Sequence, residues 1–414
     1  MNNNYIIRRA NSARDAEKLQ ILFTKVFHPD DVGTLAAIMF NHLPGMENKY
    51  WFIVEDKTTG IIISAFALIP WVWELEGLRL KVAEMGIVGT LEEYRGQGLV
   101  GVLNEEFDKT LAEENFDIAV IQGIPGFYDQ FGYSYSVPLE NHINLPLHVI
   151  SQGEKKEAYT FRLAGVGDIP FLMKEDESYR AYYSLSSFRD EAHWKYMLTE
   201  GLKTEYGSAY WIMEDKEKLG KYYCRIPEEG FGTGLIISEI SENIGVEALK
   251  SLFSFCKEKA IAQDKPYIRL NLHNHSTAGR MAISMGAKEG TPYAWQIKIP
   301  DIIRFLRTIT PILEKRIQTS SFKDFSGKFR VDFFKTGVDM IWRNGALKNI
   351  KPGEGECQMT FSINPDHFPA LSLGHRRWQE LRYIKPNIFP NSGSSALFIE
   401  TLFPSKPSWI YEQY

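Results

Sequence analysis

Three cysteines in 414 residues, widely separated as Cys224, Cys256 and Cys357 and without a C-x-x-C pair, argue against a disulfide framework and read as reduced, partly buried thiols. No spacing ties any of them to a catalytic base. No apolar run approaches the roughly twenty residues that span a bilayer. The opening Met-Asn-Asn-Asn-Tyr-Ile-Ile-Arg-Arg lacks a secretory apolar region, so a cytoplasmic protein with no membrane partner is expected. A basic excess is missing too. The net charge of −5 disfavours nonspecific binding to nucleic acid and is compatible with a cationic small-molecule substrate. His273-Asn-His275 places two imidazoles on one face of a strand, but no third ligand lies near, so no metal is expected. There is no Gly-Lys-Ser/Thr to reach terminal phosphates, and the dinucleotide pattern G-x-G-x-x-G is not matched.

What is present is an ordinary globular composition, 44% hydrophobic and 24% charged, in a chain long enough for two or three domains. The most telling stretch is Val88-Gly-Thr-Leu-Glu-Glu-Tyr-Arg95-Gly96-Gln97-Gly98-Leu99-Val100-Gly101-Val-Leu103. A short strand there runs into a glycine-rich turn and then into an amphipathic helix marked by Leu99, Leu103, Phe107 and Leu111. N–H groups at a helix start are unpaired and sit at the positive end of the macrodipole, so such a turn can hold a diphosphate without a lysine. A turn that binds nothing is the alternative. Asp117 to Ile121 reads as a buried strand, Gly123-Ile-Pro-Gly126 breaks it, and Phe127-Tyr128-Asp-Gln-Phe-Gly-Tyr133 follows.

Helices at Asp15–Phe27 and Gly33–Leu43 and strands at 50–54, 61–69, 71–75 and 78–90 precede the turn. From Tyr159 to Ile299 a similar order of elements recurs, with Ser241-Glu-Asn-Ile-Gly245 where the turn would be. Its glutamate would repel a diphosphate. After Pro300, one helix bearing Ile302, Phe305, Leu306, Ile309 and Leu313, bent at Pro311, is followed by strands at 328–334, 338–342 and 357–363 and a short helix beginning at Asn364.

Arg95-x-x-Gly98-x-Val100 resembles the acetyl-coenzyme A signature of the GCN5-related N-acetyltransferases (GNAT), with Val100 departing at its last place. Phe127 to Tyr133 is similar to the segment in which that superfamily sets a tyrosine against the thioester sulfur. The order of all three stretches resembles the enhanced intracellular survival family of bacterial aminoglycoside N-acetyltransferases, which also carries a larger aliphatic residue at the position of Val100. The resemblance implies an α+β fold of mixed α/β layers. Residues 1–150 would form a catalytic GNAT domain, 151–299 a degenerate GNAT-like copy, and 300–414 a sterol-carrier-protein-like domain.

It further implies acetyl-CoA as cosubstrate and a polycationic amine as acceptor, such as an aminoglycoside, a polyamine or a lysine side chain. The main chain of Ile87, Val88 and Thr90 would meet the thioester and pantetheine. Arg95, Gly96, Gln97, Gly98, Leu99, Val100 and Gly101 would surround the pyrophosphate. Tyr128 would be the general acid, since a phenol near pKa 10 is protonated at neutral pH. The carboxylate of Tyr414 would be the base, with Glu84 the runner-up, and the aromatic end from Trp409 would hold it in place. Phe27, Asp30, Asp31, Glu84 and Glu412 are candidates for the acceptor's walls, although Asp30-Asp31 after a proline also suits a helix cap. A homo-oligomer, a hexamer by resemblance, is expected. The competing class is a non-catalytic protein that binds or senses acyl-CoA or lipid.

Overall fold

The computed structural model describes residues 4–151, 158–217, 220–227, 232–290, 292–411 and 414. Its largest layer is an eight-stranded sheet. Four antiparallel strands lead it: β1 (Tyr5–Arg9), β2 (Trp51–Asp56), β3 (Ile62–Leu75) and β4 (Leu78–Thr90). β5 (Ile118–Ile121) then pairs parallel to β4. Successive side chains of a strand point to opposite faces, and here each face meets its own helix. Phe52 and Phe66 pack on Phe107 of one helix, while Trp51 packs on Phe23 of another. Those helices are α1 (Ala13–Phe27) and, after α2 (Val32–His42), α3 (Leu99–Glu113). Cover on both faces explains why Ile62 to Ile69 is buried without interruption. β3 runs straight through Pro70, where two shorter strands were expected.

The far side of this sheet is completed from a distance. Strand Tyr293–Lys298 lies between β5 and β6 (Ser134–Glu140), antiparallel to both. Conversely, Ile143–Pro146 pairs with Tyr267–Leu270 and Lys288–Glu289 of the following stretch. Strands thus cross residue 150 in both directions.

In that following stretch, α4 (Ile169–Tyr182) and α5 (Glu191–Leu198) precede the strands Ser208–Asp215, Lys221–Pro227, Leu235–Ile237 and Glu239–Ile240. Helix Val246–Ala262, strand Tyr267–Leu270 and helix Thr277–Ser284 follow. The last stretch is a five-stranded sheet with helices on it. The single bent helix expected there is two, Ile302–Thr308 and Thr310–Gln318, because Pro311 takes the first helical turn, where a missing N–H breaks no bond. An edge strand, Ala346–Pro352, was not expected. Phe398 of helix Gly393–Leu402 packs on Phe322, Phe325, Phe329 and Trp342.

Candidate active site

β4 and β5 are neighbours only over Val82–Ile118, Ala83–Ala119 and Glu84–Val120. Beyond Glu84 they part, β4 running on to Thr90 while β5 is flanked by Tyr293–Lys298. The β4 border of this opening is irregular. The register with β3 jumps from Ala67–Gly86 to Ala65–Gly89, leaving Ile87 and Val88 in a bulge opposite Phe66. Ile87 has φ of 54°, a left-handed conformation that a β-branched residue adopts only under local constraint. The bulge frees the main chain of Ile87 and Val88 from the β3 ladder. Thr90 keeps its hydroxyl on Ser64 Oγ at 2.8 Å, so any contact it makes with a ligand is through its main chain.

The glycine-rich turn stands at the end of β4. Gly96 and Gly98 have φ of 76° and 74°, which glycine alone takes at no steric cost. The first intrahelical bond of α3 runs from the N–H of Val102 to the carbonyl of Gly98. The N–H groups of residues 96 to 101 find no acceptor among the described residues. Beyond the adjoining backbone, no atom of the described residues stands within 4 Å of where a side chain would begin at Gly96, Gly98 or Gly101, so the turn is open as well as donor-rich. Leu99 is buried in the core and offers only its main chain. Gln97 Oε1 accepts from Tyr5 Oη at 3.0 Å, and Arg95 Nε donates to the carbonyl of Thr90 at 3.3 Å.

At the exit of β5, Gly123 is obligatory: a methyl there would stand 2.2 Å from Cδ2 of Tyr128. The Tyr128 ring is thereby laid on the main chain and boxed by Phe127, Phe131 and Tyr133. Burial pushes its phenol up to about 12.

The residue between, Gln122, belongs to a second cluster. Glu84 is 2% exposed, its Oε2 accepting from Trp71 Nε1 at 2.6 Å and its Oε1 from Gln122 Nε2 at 3.3 Å. The phenol of Tyr414 donates to Glu84 Oε1 at 3.4 Å and accepts from Gln122 Nε2 at 3.0 Å. Its ring stacks on Trp71, centroids 5.8 Å apart, and Trp71 in turn meets His193 of α5. A cavity of about 10 Å³, room for one water, is lined by these residues with Trp73, Trp295, Ile410 and Tyr411.

Tyr414 therefore reaches the site by its ring. Its main-chain oxygen accepts instead from Arg225 Nη2 at 2.9 Å. The aromatic end is docked: Trp409, Ile410 and Tyr411 are all buried. Asp31 caps α2, accepting from the N–H of Thr34 at 3.2 Å. Asp30 donates its N–H to the carbonyl of Phe27, and the Phe27 ring lies against Phe23. Glu412 lies outside the described residues. Trp71, Gln122 and His193 were not singled out from sequence. Gln122 alone had a signal, as a polar residue closing an apolar strand.

Cys224 is buried, which pushes its thiol up to about 12 and leaves it unreactive. His273 Nδ1 accepts from the N–H of His275. Among the described residues no group of three His, Cys, Asp or Glu could hold a metal, and no helix is long and apolar enough to cross a membrane.

Residues 7–136 match the family of the acetyltransferase (GNAT) domain. The chain carries an acetyltransferase (GNAT) domain over those residues. GNAT domains use acetyl-CoA, and the open, donor-rich turn ending β4 fits that ligand. The chain is similar in fold over nearly its whole length to a GCN5-related N-acetyltransferase from Anabaena variabilis, with TM-score 0.69 and 12% identity over 98% of this chain and 99% of that one. A conserved protein from Enterococcus faecalis, described as a probable N-acyltransferase, gives 0.71 and 13% over 99% of both chains. Eis1 from Mycobacterium abscessus gives 0.62 and 12%, over 99% of this chain and all of that one. At such identities the likeness is one of fold. No curated protein matches the chain in sequence.

Proposed function

We propose that this chain moves the acetyl group of acetyl-CoA directly to the amine of a cationic acceptor, in the class of aminoglycosides, polyamines or lysine side chains. The observation that carries the reading is the run of unaccepted N–H groups at residues 96–101, just past the end of the strand that carries Glu84 at its middle. Those groups and the α3 dipole hold the diphosphate. The main chain of Ile87, Val88 and Thr90 lines the pantetheine arm. Acetyl-CoA supplies the activated thioester, and the acceptor must arrive as a neutral amine.

Glu84 is the base in this reading. It is fixed by the Trp71 indole and the Gln122 amide, beside the stacked rings of Trp71 and Tyr414. Tyr128, its phenol near 12, is a poor source of a free proton but a firm hydrogen-bond donor to the departing sulfur, where charge develops. Tyr414 contributes its phenol to Glu84. The units 1–150, 151–299 and 300–414 serve as the catalytic, degenerate and sterol-carrier-like parts, the first two tied by exchanged strands.

Calorimetry with acetyl-CoA, followed by thiol release with kanamycin, spermidine and a lysine peptide, tests the proposal. Binding with release to at least one amine is expected. No heat of association, or coenzyme binding without release to any amine, would overturn it.

A further inference from the structure

The second stretch contains an opening built like the first. Leu235–Ile237 pairs parallel with Tyr267–Leu270, but the next strand residues, Glu239–Ile240, turn away to pair with Cys224 and Arg225. What stands at this second parting is the segment that carries Trp409 and Tyr411. Tyr411 Oη donates to the carbonyl of Ile240 and to Glu242 Oε1, both at 3.4 Å, on one side. Trp409 meets His273, just beyond Tyr267–Leu270, at 5.9 Å on the other. Tyr179 of α4 stacks on Tyr411 at 4.3 Å, and its hydroxyl accepts the Tyr411 N–H while donating to the Trp409 carbonyl. A backbone bond from the N–H of Trp409 to Leu185 completes the seat.

Three residues on, Arg225 Nη2 holds the main-chain oxygen of Tyr414. Arg225 is itself fixed in a buried network. Its Nη1 pairs with Glu239, which pairs with Arg189, which pairs with Asp176. Arg189, Glu239 and Asp176 are wholly inaccessible. A buried charge pair of this kind is costly to assemble and rigid once satisfied, which suits it to fixing a position.

We propose that the second unit is a clamp for Trp409, Tyr411 and Tyr414. Its opening seats Trp409 and Tyr411, and Arg225 is the positioning residue that sets the Tyr414 phenol on Glu84. The consequence for catalysis rests on Glu84 serving the acceptor, as proposed above. The clamp itself does not.

Two readouts on the full chain separate them. Hydrogen–deuterium exchange of the peptide spanning 404–414 should rise at least tenfold in Arg225→Gln, while exchange across residues 99–121 stays as in the parent. In the amine assay, Arg225→Gln and Tyr414→Phe should each raise KM for the acceptor or lower kcat about tenfold without changing acetyl-CoA affinity. The double variant should be no worse than the poorer single. Arg225→Lys, which keeps the charge, should recover part of the loss. Tyr411→Phe, a milder change that keeps the network, should raise exchange in the same peptide if Arg225→Gln fails to fold. Unchanged exchange at 404–414 in the folded variants overturns the clamp. Raised exchange with unchanged amine kinetics, or multiplicative losses in the double variant, overturns the positioning role. Absence of turnover in the parent strikes the proposed function and leaves the exchange result standing.

Discussion

Gly123→Ala is the sharpest perturbation of the chemistry that leaves the coenzyme's grip alone. The new methyl would lie 2.2 Å from Cδ2 and 2.4 Å from Cε2 of Tyr128, whereas carbon atoms rest at about 3.5–4.0 Å. The ring must therefore retreat by more than about 1 Å, into a box already closed by Phe127, Phe131 and Tyr133. Overpacking of this kind costs about 1–3 kcal/mol, and a reacting group displaced by about 1 Å loses roughly 100-fold in rate. The glycine turn at 96–101 lies on another element and is untouched. The expected result is kcat for thiol release reduced about 100-fold, a modest fall in melting temperature and unchanged acetyl-CoA affinity by calorimetry. A variant that folds and keeps kcat within threefold would refute both the placement of Tyr128 and its role.

Gly98→Ala meets no neighbour but holds φ of 74°, so it should lose about 1–2 kcal/mol to backbone strain and weaken acetyl-CoA binding about tenfold; undiminished affinity would count against the turn as cradle. Glu84→Gln keeps the contacts of Trp71 while removing the base, and should lower kcat by about 10²–10⁴ and abolish the acid limb of the pH–rate profile. Survival of that limb points to another base. Burial lifts the carboxyl of Glu242 from 4.5 to about 7, so the folded chain binds this proton more tightly than the unfolded one. Stability contributed by the neutral form is complete below about pH 4.5 and is lost as pH rises to about 7. Glu242→Gln should remove that slope and stabilise the protein at pH 8 by up to about 3 kcal/mol, as read by denaturant unfolding at several pH values.

Local features of the site were legible because the chain states them locally. The spacing Gly96, Gly98, Gly101 followed by Leu99, Leu103, Phe107 and Leu111 encodes turn and helix within one short segment, and the structure forms α3 there. Asp31 as a helix cap was equally local. The bulge at Ile87 was not legible, since nothing in a β-branched residue announces a positive φ; the constraint comes from β3 across the ladder. Nor was the strand Ala346–Pro352, whose Lys348, Asn349 and Lys351 suit an exposed edge and break the alternation that marks a strand. The meeting of Tyr414 with Glu84 joins residues 330 positions apart. Aromatic residues near position 414 signalled burial, but not which group of Tyr414 would face the site.

The insertion of Tyr293–Lys298 between β5 and β6 bears on how this molecule is born. At a synthesis rate of about 5–20 residues per second, the ribosome takes roughly ten to thirty-five seconds to travel from Ile121 to Lys298. For that interval the outer edge of β5 lacks its native neighbour, and the acetyl-transfer end of the molecule waits on sequence not yet made. A fragment stopping near residue 150 would keep that raw edge permanently, inviting aggregation. The whole polypeptide, rather than its first third, is accordingly the smallest sensible target for expression.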